Sequence, residues 1–192
     1  MAFATIDVTK GITGTIPVAN GGTGLASGTT GEFLKFTGST TIASAAQAAG
    51  GKIGQIVSSS AQNYGNTTST SFVDTGPTLN ITPTATSSKV LLLFNSGTCY
   101  ENNNYSNFYM YATFDRGGTN VAGSGAEITG TYIYQMSSVN DYGFTFHMNY
   151  LDSPSTTSQV TYKVMWRVNN SGAHIYHNLE GLSTITAMEV LA

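Results

Sequence analysis

The alternation of apolar and polar side chains over Gln159–Val168 restricts the fold of this chain more than any other feature. Every second residue from Val160 to Val168 is apolar, and a period of two places these side chains on one face of a β-strand. Short runs of the same kind, separated by turn residues, follow one another from Gly51 onward, with no helical pattern between them. We therefore predict an all-β domain over residues 51–192, a jelly-roll-like antiparallel β-sandwich.

Three of these runs carry more apolar residues than a half-exposed strand needs. Ser88–Asn95 is apolar almost throughout, which predicts a strand that is buried on both faces. The second faces of Asn107–Asp115 and Tyr142–Leu151 are aromatic and would leave large apolar patches exposed in a monomer, so we expect them to lie in an interface. The predicted strands are Lys52–Ser58, Ser71–Thr75, Leu79–Thr82, Ser88–Asn95, Asn107–Asp115, Thr131–Met136, Tyr142–Leu151, Gln159–Val168, Ala173–Asn178 and Ser183–Leu191.

The segment before this domain has a different composition. Residues 15–37, TIPVANGGTGLASGTTGEFLKFT, are rich in Gly, Thr and Ser, and such a segment loses much chain entropy while it buries little apolar surface. Apolar residues such as Leu25 and Phe36 also argue against a fully solvated linker. We therefore predict that residues 1–50 form an extended, intertwined attachment and shaft region of an obligate oligomer, with a short helix over the Ala-rich stretch Thr41–Ala49.

The low charge of the chain excludes several classes of partner. Only 9% of the 192 residues are charged, and the formal net charge is −3. The seven Lys and Arg residues are scattered, so we expect no nucleic acid partner. No segment approaches the roughly 18 apolar residues of a membrane helix. The first residues, MAFATIDVTKG, lack the pattern of a secretory signal, so we expect a soluble chain, made in a cytoplasm, that does not insert into a membrane.

No group of residues in the sequence predicts catalysis, a metal site or a cofactor. His174 and His177 would point to opposite faces of a strand, so one chain cannot chelate with this pair, although a three-fold axis would still gather three copies of one His. None of the ten Asp and Glu residues is singled out as one of the paired carboxylates of a glycan hydrolase. GGTG at Gly21–Gly24 lacks the Lys-Ser/Thr of a phosphate-binding loop. We predict a non-enzymatic protein without a metal or cofactor, in which Cys99 is a small buried residue.

Two groups of motifs resemble the fibre proteins of tailed phages. PVANGGTG at Pro17–Gly24 and GEFLKFTGSTTIAS at Gly31–Ser44 are similar to a recurring segment of such fibres. GKIGQIV at Gly51–Val57, ITPTATSSKVLLL at Ile81–Leu93 and STITAMEV at Ser183–Val190 resemble terminal domains of tail fibres of marine and cyanobacterial phages. The resemblance implies a homotrimeric virion protein with a β-rich tip that contacts the host surface.

The chain departs from long fibres because it has one PVANGGTG segment and almost no shaft. It is therefore expected to be a short fibre, a distal piece of a larger fibre or a virion decoration. Two functions follow, namely adsorption to a host cell-surface polysaccharide, or a capsid or tail decoration or adaptor without receptor binding. Both need a segment that binds another virion structural protein, and we assign this attachment to the apolar residues Phe3, Ile6 and Val8.

Three loops rich in Asn and Tyr are the candidates for receptor binding: Tyr100–Asn107, Ser138–Tyr142 and Asn169–His177. Asn amides satisfy sugar hydroxyls, and Tyr rings stack on the apolar faces of sugars. Loops of a β-sandwich gather at its two ends, so we expect at least one set at the distal end. The candidate receptor-binding residues are Tyr100, Asn102, Asn103, Asn104, Tyr105, Asn140, Tyr142, His174 and Tyr176.

Overall fold

The computed structural model describes residues 22–23, 25, 27–39, 41–46, 52–62, 65–101, 107–134, 142–177 and 181–191. The chain divides into two units, Met1–Ala49 and Gly50–Ala192. In the described residues all regular structure is β, as the sequence predicts for residues 51–192. The strands are β1 (Phe33–Phe36), β2 (Ile42–Ala45), β3 (Lys52–Ala61), β4 (Gly65–Thr67), β5 (Val73–Ile81), β6 (Lys89–Asn95), β7 (Cys99–Glu101), β8 (Phe108–Arg116), β9 (Thr119–Asn120), β10 (Thr129–Ile133), β11 (Tyr142–Phe144), β12 (His147–Asp152), β13 (Val160–Val168), β14 (Ile175–His177) and β15 (Ser183–Leu191).

The described part of the first unit is a β-hairpin, and the helix predicted over Thr41–Ala49 is wrong there. Strands β1 and β2 pair antiparallel from Phe33 opposite Ala45 to Phe36 opposite Ile42. An Ala-rich run of two turns is too short to nucleate a stable helix, so pairing with the neighbouring apolar strand prevails. The attachment residues Phe3, Ile6 and Val8 lie outside the described residues, and the intertwined shaft stays a prediction.

The second unit is an antiparallel jelly roll. Sheet I has the strand order β12-β6-β15-β3, and sheet II has the order β10-β8-β13-β5, with the short β9 beside β8. Along the chain the main strands β3, β5, β6, β8, β10, β12, β13 and β15 pass from one sheet to the other at every step except between β8 and β10, which is the order of a jelly roll. Every strand pair in both sheets is antiparallel. The predicted β-sandwich is therefore confirmed.

The core lies between the inner faces of sheets I and II. On β13 the side chains from Tyr162 to Val168 that share the predicted face are completely buried. Phe94 of sheet I and Phe146 meet the Trp166 ring edge-on, with ring centroids 6.1 and 4.6 Å away. The prediction that Ser88–Asn95 is buried on both faces is wrong, because burial alternates along β6. The leucines at odd positions of this strand lie on the outer face of sheet I, and Leu93 is 37% exposed.

Two buried carboxylates hold one end of the jelly roll together. Asp152, at the end of β12, accepts hydrogen bonds from Nη1 of Arg116 and from the hydroxyl of Tyr162. Glu189, near the end of β15, accepts hydrogen bonds from the side chain of Gln55 and from the backbone and side chain of Thr84. The second of these carboxylates ties the connection between β5 and β6 to sheet I. The opposite end of the jelly roll carries the candidate site.

Candidate functional site

A third, small sheet covers the other end of the jelly roll, and it is built entirely from connections between the main strands. Strand β4 lies between β3 and β5, β7 between β6 and β8, β11 between β10 and β12, and β14 between β13 and β15. These four strands pair antiparallel in the order β11-β7-β14-β4, and we call them the cap sheet. Each of the three loops predicted to bind a receptor contributes residues to this one sheet.

The inner face of the cap sheet belongs to the core, which explains why these short segments form strands. Cys99 and Ile175 are completely buried beneath the sheet. Burial raises the pKa of the Cys99 thiol to about 12, against a smaller lowering by its hydrogen bond with Ser96. Cys99 is therefore a small buried residue, as predicted. Next to it, the backbone N–H of Ser96 donates to the carbonyl of Phe146, and the Ser96 hydroxyl accepts from the N–H of Phe146.

The outer face of the cap sheet carries an ordered row of aromatic side chains. The register places Gly143, Tyr100, Tyr176 and Asn66 side by side across the four strands. The rings of Tyr100 and Tyr176 are stacked, with centroids 4.8 Å apart and an interplanar angle of 19°. The ring of His174 lies 4.4 Å from the ring of Tyr176, and its Nδ1 is 3.2 Å from the Tyr176 hydroxyl. We call His174, Tyr176 and Tyr100 the aromatic row.

The aromatic row has the chemistry of a sugar-binding surface. Both tyrosines are half-buried, so their rings are held in place at a low further cost in side-chain entropy. Gly143 at one end of the row adds no side chain that would cover Tyr100, and the nearest atom to a Cβ built there is 4.0 Å away. At the other end Asn66 is exposed and offers an amide that both donates and accepts hydrogen bonds.

The remaining candidate residues fall in or beside connections that meet this sheet. Asn102, Asn103, Asn104, Tyr105 and Asn140 lie outside the described residues. The backbone of Tyr142 is described and lies opposite Glu101, which in turn lies opposite Ile175. The residues that follow or precede these positions, 102–106, 135–141 and 169–174, are therefore connected to the cap sheet at the same end of its strands. The structure thus brings together the attachment points of all three predicted loops.

Sequence reasoning did not identify Asn66 as part of this surface. Strand β4 has three residues, GNT, and its neighbours are also Asn, Gly, Thr and Ser. A three-residue strand shows too little alternation to be recognised, and this composition is typical of turns. Only the pairing of Asn66 with Tyr176 reveals its position.

Other functional chemistry is sparse in the described part of the chain. No group of three or more His, Cys, Asp or Glu side chains there is arranged to hold a metal ion. His147 lies on the outer face of sheet I, in a shallow groove that Leu93, Asn149 and Thr186 also line. Within the same described residues, no helix has the length and apolar character needed to cross a membrane.

No protein-family model and no curated protein matches this chain. Among solved structures it is similar to VP2 of infectious bursal disease virus in a subviral particle, with 11% identity and a TM-score of 0.34 over 82% of this chain and 41% of that chain. A mutant VP2 of the same virus in T=1 particles gives 10% identity and a TM-score of 0.31, over 82% of this chain and 40% of that one. The chain thus spans about two fifths of the length of these capsid proteins, and similarity at this level assigns no function.

Proposed function

We propose that this chain is a structural protein of a tailed-phage virion, a homotrimer whose cap sheet attaches the particle to a host cell-surface polysaccharide. The observation that carries the proposal is the convergence of four connections at one end of the jelly roll into a single sheet with stacked Tyr100 and Tyr176 on its outer face. Flat aromatic rings beside the amide of Asn66 suit sugars, which present apolar C–H faces and many hydroxyls.

The homotrimer is supported by apolar surface that a monomer would leave in water. On the outer face of sheet I the register aligns Ile56, Met188, Leu91 and Leu151 in one row across all four strands. We call these four residues the aliphatic row. Ile56 and Leu151 are 60% and 48% exposed. A continuous row of this kind is typical of a subunit interface, and we assign it to contact between copies of the chain.

The β1–β2 hairpin supports an oligomer in the same way. Phe33, Leu34 and Phe36 are 60%, 59% and 67% exposed. A two-stranded hairpin with strands of four residues is marginally stable at best in water, and it needs further strands or a packing surface. Three copies of the hairpin, packed against each other, would provide both.

An adaptor or decoration protein without receptor binding is the alternative, and it would use the same subunit contacts. It gives no role to an aromatic row at the outer surface of the cap sheet. A glycan hydrolase is a weaker alternative, because the two buried carboxylates, Asp152 and Glu189, are already occupied by internal hydrogen-bond donors. We therefore propose binding without catalysis.

Removal of the two stacked rings tests the adsorption proposal. Virions that carry Tyr100→Ala and Tyr176→Ala together are expected to adsorb to their host at least about tenfold more slowly, because every copy loses its stacking surface and several copies act together. The measurement is the adsorption rate constant, with virion incorporation of the variant checked by gel. The matched control, Tyr100→Phe with Tyr176→Phe, keeps both rings and should adsorb nearly normally. Normal adsorption by the Ala variant would favour the adaptor function.

The aliphatic row on sheet I predicts where the trimer can be broken. The variant Ile56→Ser with Leu151→Ser is expected to dissociate, because each substitution removes about 1.5–3 kcal/mol of apolar burial from every subunit contact. Sedimentation of the purified chain measures the change from trimer to monomer. Leu182→Ser alters a side chain that is 53% exposed outside this row, and it should leave the trimer intact. A wild-type chain that sediments as a stable monomer would refute the trimer.

A further inference from the structure

A second group of exposed tyrosines lies on the outer face of sheet II, near the end covered by the cap sheet. Tyr109 of β8, Tyr132 of β10 and Tyr134, directly after β10, are 42%, 47% and 61% exposed. Tyr109 and Tyr132 are register partners, with ring centroids 4.7 Å apart. We call these three residues the tyrosine cluster. The sequence predicts an interface for this face of β8. The surroundings of the cluster favour binding of a ligand over contact with another subunit.

Neighbouring side chains on the same face of sheet II pack against the tyrosine cluster. The ring of Tyr111 is parallel to the ring of Tyr109 within 4°, with centroids 5.7 Å apart. Tyr111 lies across Gly130, where an added Cβ would be 2.8 Å from the ring. The guanidinium carbon of Arg167 is 4.3 Å from the centre of the Tyr111 ring. Glycine at position 130 and the cation above Tyr111 thus set the position of the ring against which Tyr109 packs.

Hydrogen bonds connect the cluster to the bases of the predicted receptor loops. The Tyr132 hydroxyl donates to the side-chain oxygen of Asn107, and the backbone N–H of Tyr109 donates to the side-chain oxygen of Asn169. Asn107 has a φ of 64°, a left-handed conformation that Asn tolerates better than most residues. These residues adjoin segments 102–106, 135–141 and 169–174, the same segments that lead into the cap sheet.

The charges around the cluster favour a neutral ligand. Arg167 is paired with Glu127 at 3.5 Å and lies over the Tyr111 and Phe72 rings, so its charge is balanced within the protein. The aliphatic row on sheet I already provides a face for contact between subunits, whereas the cluster presents amphipathic rings next to Asn side chains. Tyrosine and asparagine without net charge match a neutral sugar chain.

We propose that the tyrosine cluster is a second subsite for a neutral polysaccharide, which extends from the aromatic row of the cap sheet onto the outer face of sheet II. The inference rests on the proposed adsorption function. It gives the receptor a chemical description, namely an uncharged glycan long enough to contact both groups of rings. Short oligosaccharides occupy the aromatic row alone, and longer ones occupy both subsites.

The test compares short and long oligosaccharides on the purified full-length chain. The probes are neutral homo-oligomers of glucose, galactose, mannose and N-acetylglucosamine, first on an array and then by titration calorimetry. Tyr134→Ala is expected to weaken binding of the long oligomers about three- to tenfold and to leave disaccharide binding unchanged. Tyr134→Phe keeps the ring and should bind like the wild type. Gly130→Ala removes no aromatic ring but displaces Tyr111, and it should also weaken only the long oligomers.

The possible outcomes separate this inference from the function on which it rests. If Tyr176→Ala weakens binding and Tyr134→Ala does not, the second subsite is refuted and the adsorption function stands. If only Tyr134→Ala has an effect, the cluster binds sugar and the aromatic row does not. A change in sedimentation caused by Tyr134→Ala would identify the cluster as a subunit contact and overturn the inference. Failure of the wild-type chain to bind any neutral oligomer at millimolar concentration would overturn both proposals.

Discussion

Replacement of Asp152 by Ala is expected to lower the free energy of unfolding by about 3 kcal/mol, a large part of the 5–15 kcal/mol that stabilises a typical domain. The Asp152 side chain is 8% exposed, and both of its oxygens lie 2.7–2.8 Å from Nη1 of Arg116. Removal of the carboxylate leaves the guanidinium without its partner and the completely buried hydroxyl of Tyr162 without an acceptor. An unpaired buried group loses its hydration without compensation.

Tyr162 keeps its hydroxyl proton at neutral pH and is therefore the hydrogen-bond donor to Asp152. Burial raises the pKa of its hydroxyl far above the ordinary value, and the hydrogen bond and negative charge of Asp152 raise it further. Arg116 opposes this increase only in part. The contact between the Tyr162 hydroxyl and the Asp152 carboxylate is therefore a bond from a neutral donor to a charged acceptor, which is stronger than a bond between neutral groups.

A second ion pair in the same jelly roll provides the control. Lys163 and Asp74 are 2.6 Å apart, as close as the buried pair, but both side chains are 39% exposed. Because solvent screens this pair, Asp74→Ala should destabilise the fold far less than Asp152→Ala. Urea unfolding followed by the fluorescence of Trp166, the one tryptophan of the chain, measures both variants. Equal losses for Asp152→Ala and Asp74→Ala would contradict the role assigned to burial.

The main sheets could be predicted from sequence because their strands are long enough to show a period. Val160–Val168 alternates over nine residues, and the structure buries the predicted face. The strands of the cap sheet have three residues each, so their pairing depends on the path of the whole chain and not on local pattern. Sequence composition selected Tyr100, His174 and Tyr176 as candidates, but it could not indicate that they share one face.

Two segments differ from their predicted structure for local physical reasons. Ser88–Asn95 was expected to be buried on both faces because Leu91, Leu92 and Leu93 are all apolar, yet a strand in a two-sheet sandwich has one face toward the core. Of the two leucines on the outer face, Leu91 belongs to the apolar row that we assign to subunit contact, and Leu93 lines the groove beside His147. Ile42–Ala45 forms a strand instead of part of the helix predicted over Thr41–Ala49. A segment of about two turns is too short to form a stable helix in isolation, even when it is rich in alanine.

Glu189 could not be recognised from sequence as a structural residue, since it stands in an ordinary alternating strand. In the structure the Glu189 side chain is completely buried on the inner face of β15. Its Oε1 accepts from the N–H and the hydroxyl of Thr84 at 2.6 and 2.7 Å, and its Oε2 accepts from Nε2 of Gln55 at 2.7 Å. Burial alone raises the pKa of this carboxyl, but the hydrogen bonds from Gln55, Thr84 and Ser88 together outweigh burial and lower it from 4.5 to about 2.

The lowered pKa makes Glu189 a source of stability that acid removes. Because the folded chain binds the proton more weakly than the unfolded chain, this stability is complete above about pH 4.5 and is lost as the pH falls toward about 2. Glu189→Gln places an amide N–H₂ against donors that bond to the carboxylate, and it should cost about 1–3 kcal/mol at neutral pH. The variant should also lose the Glu189 part of the acid dependence, so the urea midpoints of variant and wild type should converge at low pH.

The matched control for Glu189→Gln is Glu127→Gln, which neutralises an exposed carboxylate 3.5 Å from Arg167. It should change the free energy of unfolding by about 0.5 kcal/mol or less, with the acid dependence of the wild type preserved. Parallel stability curves for Glu189→Gln and the wild type across the acid range would show that the carboxylate is not held in its charged form by the fold. Convergence would show that one buried charge fixes the connection between β5 and β6 at the end of the jelly roll opposite the cap sheet, so that acid loosens this end.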